Sequence, residues 1–134
     1  MDPEGNVRIT SRSRPAESRR EALLRGHQAE VLVAERLAAR GWTIHARNWR
    51  GGGGEIDVVA GHDGKLRFVE VKVRDPSDPL GDDAVSPHKR RRLRSAGEAW
   101  LASMPTEPAE VCFLVAYVDV AVDPWAVRWI DDAF

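Results

Sequence analysis

This chain predicts a single α/β (α+β) domain, a mixed β-sheet flanked by helices. Three observations lead there. Two windows, about Glu17 to Arg40 and Pro87 to about Ser103, carry apolar residues at helical spacing. Short Val- and Ile-rich runs lie between them and after the second. Their order is helix, three strands, helix, two strands, which calls for a sheet covered by helices. A length of 134 residues suits one domain with a real core. Residues 1–15 read as a flexible basic N-terminal tail and residues 16–134 as one domain. The net charge of −1 announces no globally basic protein, so the placement of charge matters more than its sum. Cys112 is the one cysteine, which excludes an internal disulfide and a thiolate metal cluster. The sequence shows no run of transmembrane length and no charged-then-apolar leader, so the expectation is a cytoplasmic protein with no membrane partner.

Taking the elements in order, Met1 to Pro15 is polar, broken by Pro3 and Pro15, with Arg8, Arg12 and Arg14 among Ser and Thr. It is either a leader without a role or a basic arm for phosphates. In the first helix Leu23, Val33, Ala34, Leu37 and Ala38 form the inner stripe, and Gly41 stops it. Glu30 falls inside that stripe, among Gly26, His27, Val33, Ala34 and Leu37, whereas Glu35 points outward. A charge that breaks an otherwise consistent pattern marks a candidate functional residue. The alternative is that Glu30 reaches a rim, or pairs with Arg25 or His27. Trp42 to Trp49 reads as a strand, with Trp42, Ile44 and Ala46 alternating against Thr43, His45 and Arg47. Arg47, Asn48 and Arg50 lead into Gly51–Gly54, which lacks the Lys-Ser/Thr of a phosphate-binding loop and reads as a mobile connection.

Next come two strands, Ile56 to Ala60 and Leu66 to Val73, around Asp63-Gly64, a dipeptide suited to a two-residue hairpin loop. With those two as the loop, His62 faces Lys65, Ala60 faces Arg67 and Val58 faces Val69. Continued outward, Asp57 faces Glu70 and Glu55 faces Lys72. Alternation then puts Glu55, Asp57, Glu70 and Lys72 on one face, and Ile56, Val58, Val69, Val71 and Val73 on the other. Facing carboxylates repel, and buried ones are costly unless paired or bound to a cation. A divalent metal is one solution; a salt-bridged hairpin with Glu55 paired to Lys72 is the other.

Asp75 to Pro87 holds Pro76, Pro79, Gly81, Asp78, Asp82 and Asp83 and reads as a surface loop, with Asp82 or Asp83 a remote candidate for metal ligation. Ser86-Pro87 caps the second helix, whose inner stripe is Leu93, Ala96, Gly97, Trp100, Leu101 and Met104. Its first turns carry His88, Lys89, Arg90, Arg91, Arg92 and Arg94 without an acid. Cations there oppose the helix dipole, so either an anionic partner offsets the cost or the face is simply solvated. Lys89 and Arg90 flank the inner stripe and are placed to turn toward the acidic face. Val111 to Val122 reads as a long central strand, Asp123-Pro124 as a turn, and Trp125 to Ile130 as the last strand. Tyr117 and Trp129 read as core residues rather than stacking platforms for bases.

Paired carboxylates beside a lysine are what metal-dependent phosphodiester cleavage requires. The spacing of Asp57 from Glu70-Val71-Lys72 resembles the PD-(D/E)xK nuclease superfamily. More closely, the chain resembles the YraN-like family of small bacterial proteins described as predicted endonucleases, similar in turn to archaeal Holliday-junction resolvases. The matching stretches are Gly26-His27-Gln28-Ala29-Glu30 with Ala34-Glu35-Arg36-Leu37, then Gly41-Trp42 with Arg47-Asn48-Trp49-Arg50. They continue with Gly54-Glu55-Ile56-Asp57-Val58-Val59-Ala60 and Phe68-Val69-Glu70-Val71-Lys72-Val73-Arg74. Lys89, Arg92 and Leu93 fit the following helix, and Asp132-Ala133-Phe134 the family's ending.

The resemblance implies a restriction-endonuclease-like fold and Mg²⁺ (or Mn²⁺). It implies Asp57, Glu70 and the Val71 carbonyl as metal ligands, Lys72 as the catalytic lysine, and Glu30 as a helix-borne glutamate near the metal. Glu55 stands as a further ligand or a partner for Lys72. Ile56 replaces the superfamily's proline, and Leu114 stands where relatives often carry Asp. The expected activity is endonucleolytic cleavage of DNA, extending to branched or single-stranded structures. Lys89, Arg90, Arg91, Arg92, Arg94, Arg47 and Arg50 are the candidate DNA contacts, and a homodimer is compatible. The alternatives are a non-catalytic nucleic-acid-binding or accessory module in DNA processing, and a partner-binding domain whose acidic face is structural.

Overall fold

The computed structural model describes residues 18–75 and 85–131. The expected tail, the Asp78, Asp82 and Asp83 loop and the Asp132-Ala133-Phe134 ending lie outside them. In chain order the elements are α1 (Arg19–Ala39), β1 (Thr43–Gly51), β2 (Gly54–His62), β3 (Lys65–Arg74), α2 (Pro87–Ala102), β4 (Glu110–Asp119) and β5 (Ala126–Asp131). The five strands form one sheet in sequential order. β1, β2 and β3 pair antiparallel, β3 and β4 parallel, and β4 and β5 antiparallel. The parallel step needs a crossover, and α2 supplies it. This is the mixed sheet with flanking helices that the element order predicts.

α1 covers one face of the sheet. Ala29, Val33 and Leu37 pack there with Val58, Ala60, Val69, Leu114, Ala116 and Val118. α2 covers the other, with Leu93 and Ala96 against Ile56, Val59, Leu66 and Phe68. Leu114 is therefore part of the α1-side core, where an acid would be desolvated. Tyr117 is buried with Val85 and Val115, as expected of a core residue, whereas Trp129 is half-buried and packs against the α1-side core.

Both helix starts are fixed by side chains. Ser18 Oγ accepts from the Glu21 amide at 3.1 Å and Glu21 returns the bond to the Ser18 amide at 3.0 Å, a reciprocal capping box. Ser86 Oγ accepts from the Lys89 amide at 3.2 Å, with Pro87 opening the helix. The buried stripe of α1 is shorter than its periodicity suggests. Leu23 is 70% and Leu24 57% exposed, and Ala38 is exposed at the other end. Helical periodicity marks a face, but it does not say how far the sheet extends beneath it.

The two hairpin turns explain their glycines. Asp63 and Gly64 have φ of 51° and 77°, the left-handed pair of a two-residue turn, and the ladder runs from His62/Lys65 to Val58/Val69 as expected. Gly51 pairs with Gly54 across a second such turn at Gly52-Gly53. This turn is no mobile loop. A Cβ on Gly54 would collide with the Arg92 carbonyl oxygen, and one on Gly52 with that of Ser95. Arg92 Nε donates to Gly53 O at 3.1 Å, and the Ser95 hydroxyl donates to Gly52 O. The bare backbone thus lets the β1–β2 turn lie directly on α2.

Candidate active site

The strand alternation expected of β2 breaks at Asp57. Val58 belongs to the α1-side core, yet Ile56 packs with Val59 on the α2 side. The expected shared face of Ile56 and Val58 is therefore incorrect. The neighbouring strand shows why. Asn48 stands opposite this rung with φ of 52°, while Arg47 pairs with Val58 and Trp49 with Ile56. A left-handed residue reverses the pleat locally, which Asn tolerates better than most side chains. At this rung the β2–β3 ladder ends, and Asp57 Oδ2 accepts a hydrogen bond from the Val71 amide at 2.8 Å. A carboxylate thus takes up a strand amide at a fork between β2 and β3.

Glu70, one residue back along β3, meets Asp57 in that fork. The two carboxyl groups are within hydrogen-bonding reach of each other, and in this shared buried site both are pushed toward the protonated form. Glu70 is only 4% exposed. Burial, then the Asp57 charge, pushes its carboxyl up to about 7, against the opposing pull of Lys89. Burial also raises Asp57, with the Val71 amide and Glu70 bonds working the other way. Two like-charged acids in one desolvated site cannot both ionise cheaply. Lys89, from the first turn of α2, forms an ion pair with Glu70 Oε2. Burial works against the Lys89 charge, but the bond to Glu70 and the charges of Glu70, Asp57 and Glu55 outweigh it and raise its pKa.

Glu30 reaches the site from α1. Burial and then the Asp57 charge raise its carboxyl, while a hydrogen bond from Asn48 and the Arg47 charge lower it. The left-handed Asn48 therefore both reverses the pleat and holds Glu30. Glu55 turns toward Arg50, its partner across the β1–β2 ladder, at 3.5 Å. Lys72 lies on the Glu70 face of β3. Gly26, Glu70, Val71, Lys72, Val73, Val85, Ser86 and Lys89 line a cleft of about 400 Å³. Among the described residues, no three His, Cys, Asp or Glu side chains form a ready metal cluster. What converges is the Asp57–Glu70 pair with the Val71 backbone, with Glu30 in electrostatic range.

The basic turns of α2 divide by task. Lys89 meets Glu70, Arg90 Nε donates to Val85 O at 3.0 Å, and Arg92 holds the glycine turn. Arg94 lies over the Phe113 ring, its guanidinium carbon 5.5 Å from the centroid. Arg91 is exposed, as are Arg47 and Arg50 on β1. Asn48 is the residue that periodicity missed, although Asn is the commonest non-glycine visitor to left-handed backbone.

A family model described as "Uncharacterised protein family UPF0102" matches residues 29–122. The chain belongs to the UPF0102 family. The match spans Glu30, the Asp57–Glu70 fork, Lys72 and the basic turns of α2. UPF0102 proteins of Gloeobacter violaceus and Sinorhizobium fredii are similar to it. The first is 48% identical over 94 residues, covering 68% of this chain and 75% of its own. The second is 39% identical over 124 residues, covering 90% and 97%. A UPF0102 protein of Roseiflexus castenholzii is 44% identical over 58% of this chain, which spans 64% of that relative's length. The resemblance to the YraN-like family is borne out at this level. No helix of this UPF0102 chain, among the described residues, is long and apolar enough to cross a membrane.

Proposed function

We propose that this protein is a metal-dependent endonuclease that hydrolyses phosphodiester bonds in DNA, as a member of the PD-(D/E)xK superfamily. The observation that carries the reading is the Asp57–Glu70 pair, two carboxyls buried together at the strand fork, with Asp57 Oδ2 on the Val71 amide and Glu70 4% exposed. Such a pair is poorly suited to holding a fold together, and well suited to receiving a cation. Its donors are hard oxygens, the type that Mg²⁺ and Mn²⁺ take. Asp57, Glu70 and the Val71 carbonyl would hold the ion, with Glu30, bonded to Asn48, in electrostatic range of Asp57. When bound, the ion polarises the scissile phosphate and lowers the pKa of an attacking water.

The chain's own side chains complete the chemistry. Lys72 presents an ammonium on the Glu70 face, where it would stabilise negative charge developing on the phosphoryl oxygens. Lys89 partly neutralises Glu70, and with a cation bound there it would be available to a phosphate. Arg91, Arg47 and Arg50 are exposed for backbone contacts. One observation favours a second reading, a nucleic-acid-binding module without catalysis: Lys89 already occupies the cation's place at Glu70.

Incubation with branched, flapped and linear DNA in Mg²⁺ or Mn²⁺, beside Mn²⁺ calorimetry, separates the two. The endonuclease reading expects metal binding and cleavage, both lost in Asp57→Ala, with cleavage alone reduced in Lys72→Ala. Salt-sensitive binding without cutting, unchanged by Asp57→Ala, supports the second reading.

A further inference from the structure

Resting on the proposed reading of the cleft as a DNA site, we infer that the first two turns of α1 hold a nucleobase displaced from its duplex. Leu23 and Leu24 are the apolar seat for it. Both are largely exposed on a helix start fixed by the Ser18–Glu21 capping box, so they stand on ordered backbone. Leu23, Gly26 and Glu30 follow one another on a single helical face, at spacings of three and four residues. Glu30 is in electrostatic range of Asp57, and Gly26 lines the cleft with Glu70, Lys72 and Lys89. Exposed Leu23 therefore continues the line of the carboxylate site toward the start of α1, with exposed Leu24 beside it.

The charges around them fit a nucleic acid. Arg19 and Arg20 lie one turn before Leu23 and Leu24 and are exposed, and Arg25 follows. Glu21, the one acid in these turns, accepts from the Ser18 amide and keeps its charge, but the three arginines outnumber it. An apolar step flanked by arginines matches a base face with its phosphates. Proteins that unstack a duplex insert aliphatic side chains such as Leu between base steps, which brings such side chains into contact with base faces. A membrane surface or a second copy of the chain would also cover leucines, but neither accounts for the alignment of Leu23 with Gly26 and Glu30.

The distance sets the register. Seven residues separate Leu23 from Glu30, about 10 Å of helix at about 1.5 Å per residue. At about 3.4 Å per nucleotide, a strand running along α1 would carry the displaced base about three nucleotides from Glu30. The substrate class is then a duplex with an unpaired or flapped base, rather than a continuous one.

The test uses the full chain without divalent metal, so that binding is read apart from cutting. Anisotropy compares a flapped duplex carrying 2-aminopurine at its branch with the matched linear duplex. The wild type should prefer the flap by about tenfold and brighten the probe, as expected for an unstacked base held on the protein. Leu23→Ser/Leu24→Ser should lose both effects, yet bind the linear duplex like wild type and melt at the same temperature. Arg19→Ala/Arg20→Ala should weaken both DNAs alike. The proposal is overturned if the leucine variant keeps the preference, or if the wild type has none. It is equally overturned if sedimentation shows a wild-type dimer that the leucine variant dissociates. Cleavage without leucine dependence sinks this inference alone. Leucine-dependent binding with no cleavage in any metal sinks the endonuclease reading alone.

Discussion

Replacing Glu70 by Gln probes the electrostatic cost stored at the strand fork. Gln keeps the size and an acceptor for Lys89, but removes the ionisation. In the folded protein Glu70 holds its proton to about 7, against an ordinary 4.5. Between those values the folded state binds more protons than the unfolded state, so stability falls as pH rises through the window and levels off above it. At about 1.4 kcal/mol per pH unit, the interval from 4.5 to about 7 amounts to about 3 kcal/mol. For 134 residues the unfolding entropy is about 0.3 kcal/mol/K, so the loss corresponds to about 10 °C in melting temperature. Thermal melts of both proteins in chelator, from pH 4 to pH 9, measure it. The curves should converge near pH 4 and separate above pH 7, with Glu70→Gln the more stable. Added Mg²⁺ or Mn²⁺ should then stabilise the wild type and leave the variant unchanged. Curves that stay parallel across the window, or a variant less stable at pH 8 than wild type, would refute the strained-pair argument.

Other substitutions test the frame around the pair. Gly54→Ala should cost about 1–3 kcal/mol in a thermal melt, because its Cβ collides with the Arg92 carbonyl and the backbone of α2 cannot give way cheaply. Ser86→Ala removes the acceptor for the Lys89 amide and should cost about 1 kcal/mol by denaturant titration. Arg91→Ala should leave the melting temperature unchanged and lower the slope of log affinity against log salt for DNA by about 1. Arg92→Ala should lower the melting temperature as well, since Arg92 holds Gly53 O.

The two-residue turn at Asp63-Gly64 made the hairpin register legible as far as Val58/Val69, because loop length and loop residues dictate which side chains face one another. The expected Asp57/Glu70 and Glu55/Lys72 rungs lie beyond the end of that ladder, and Glu55 pairs with Arg50 instead. Ser86-Pro87 likewise announced the start of α2. Glu30 stood out as a charge on an apolar stripe, and it does approach Asp57. Ile56 was not legible, since its face depends on a pleat reversal that Asn48 imposes from the next strand. The exposure of Leu23 was hidden for a related reason: a helix stripe carries no information about where its neighbour ends. Nor could the sequence reveal why Gly52 and Gly54 are bare, because their constraint is a carbonyl on a helix some forty residues away.

The Val71 amide lends the molecule a spectroscopic handle. Its hydrogen bonds to a titratable carboxylate instead of to a strand carbonyl. Its proton and nitrogen chemical shifts should therefore follow the ionisation of Asp57, and respond to any cation that competes for the same oxygen. One amide resonance then reports occupancy of the fork in real time, with no label at the site and no turnover required.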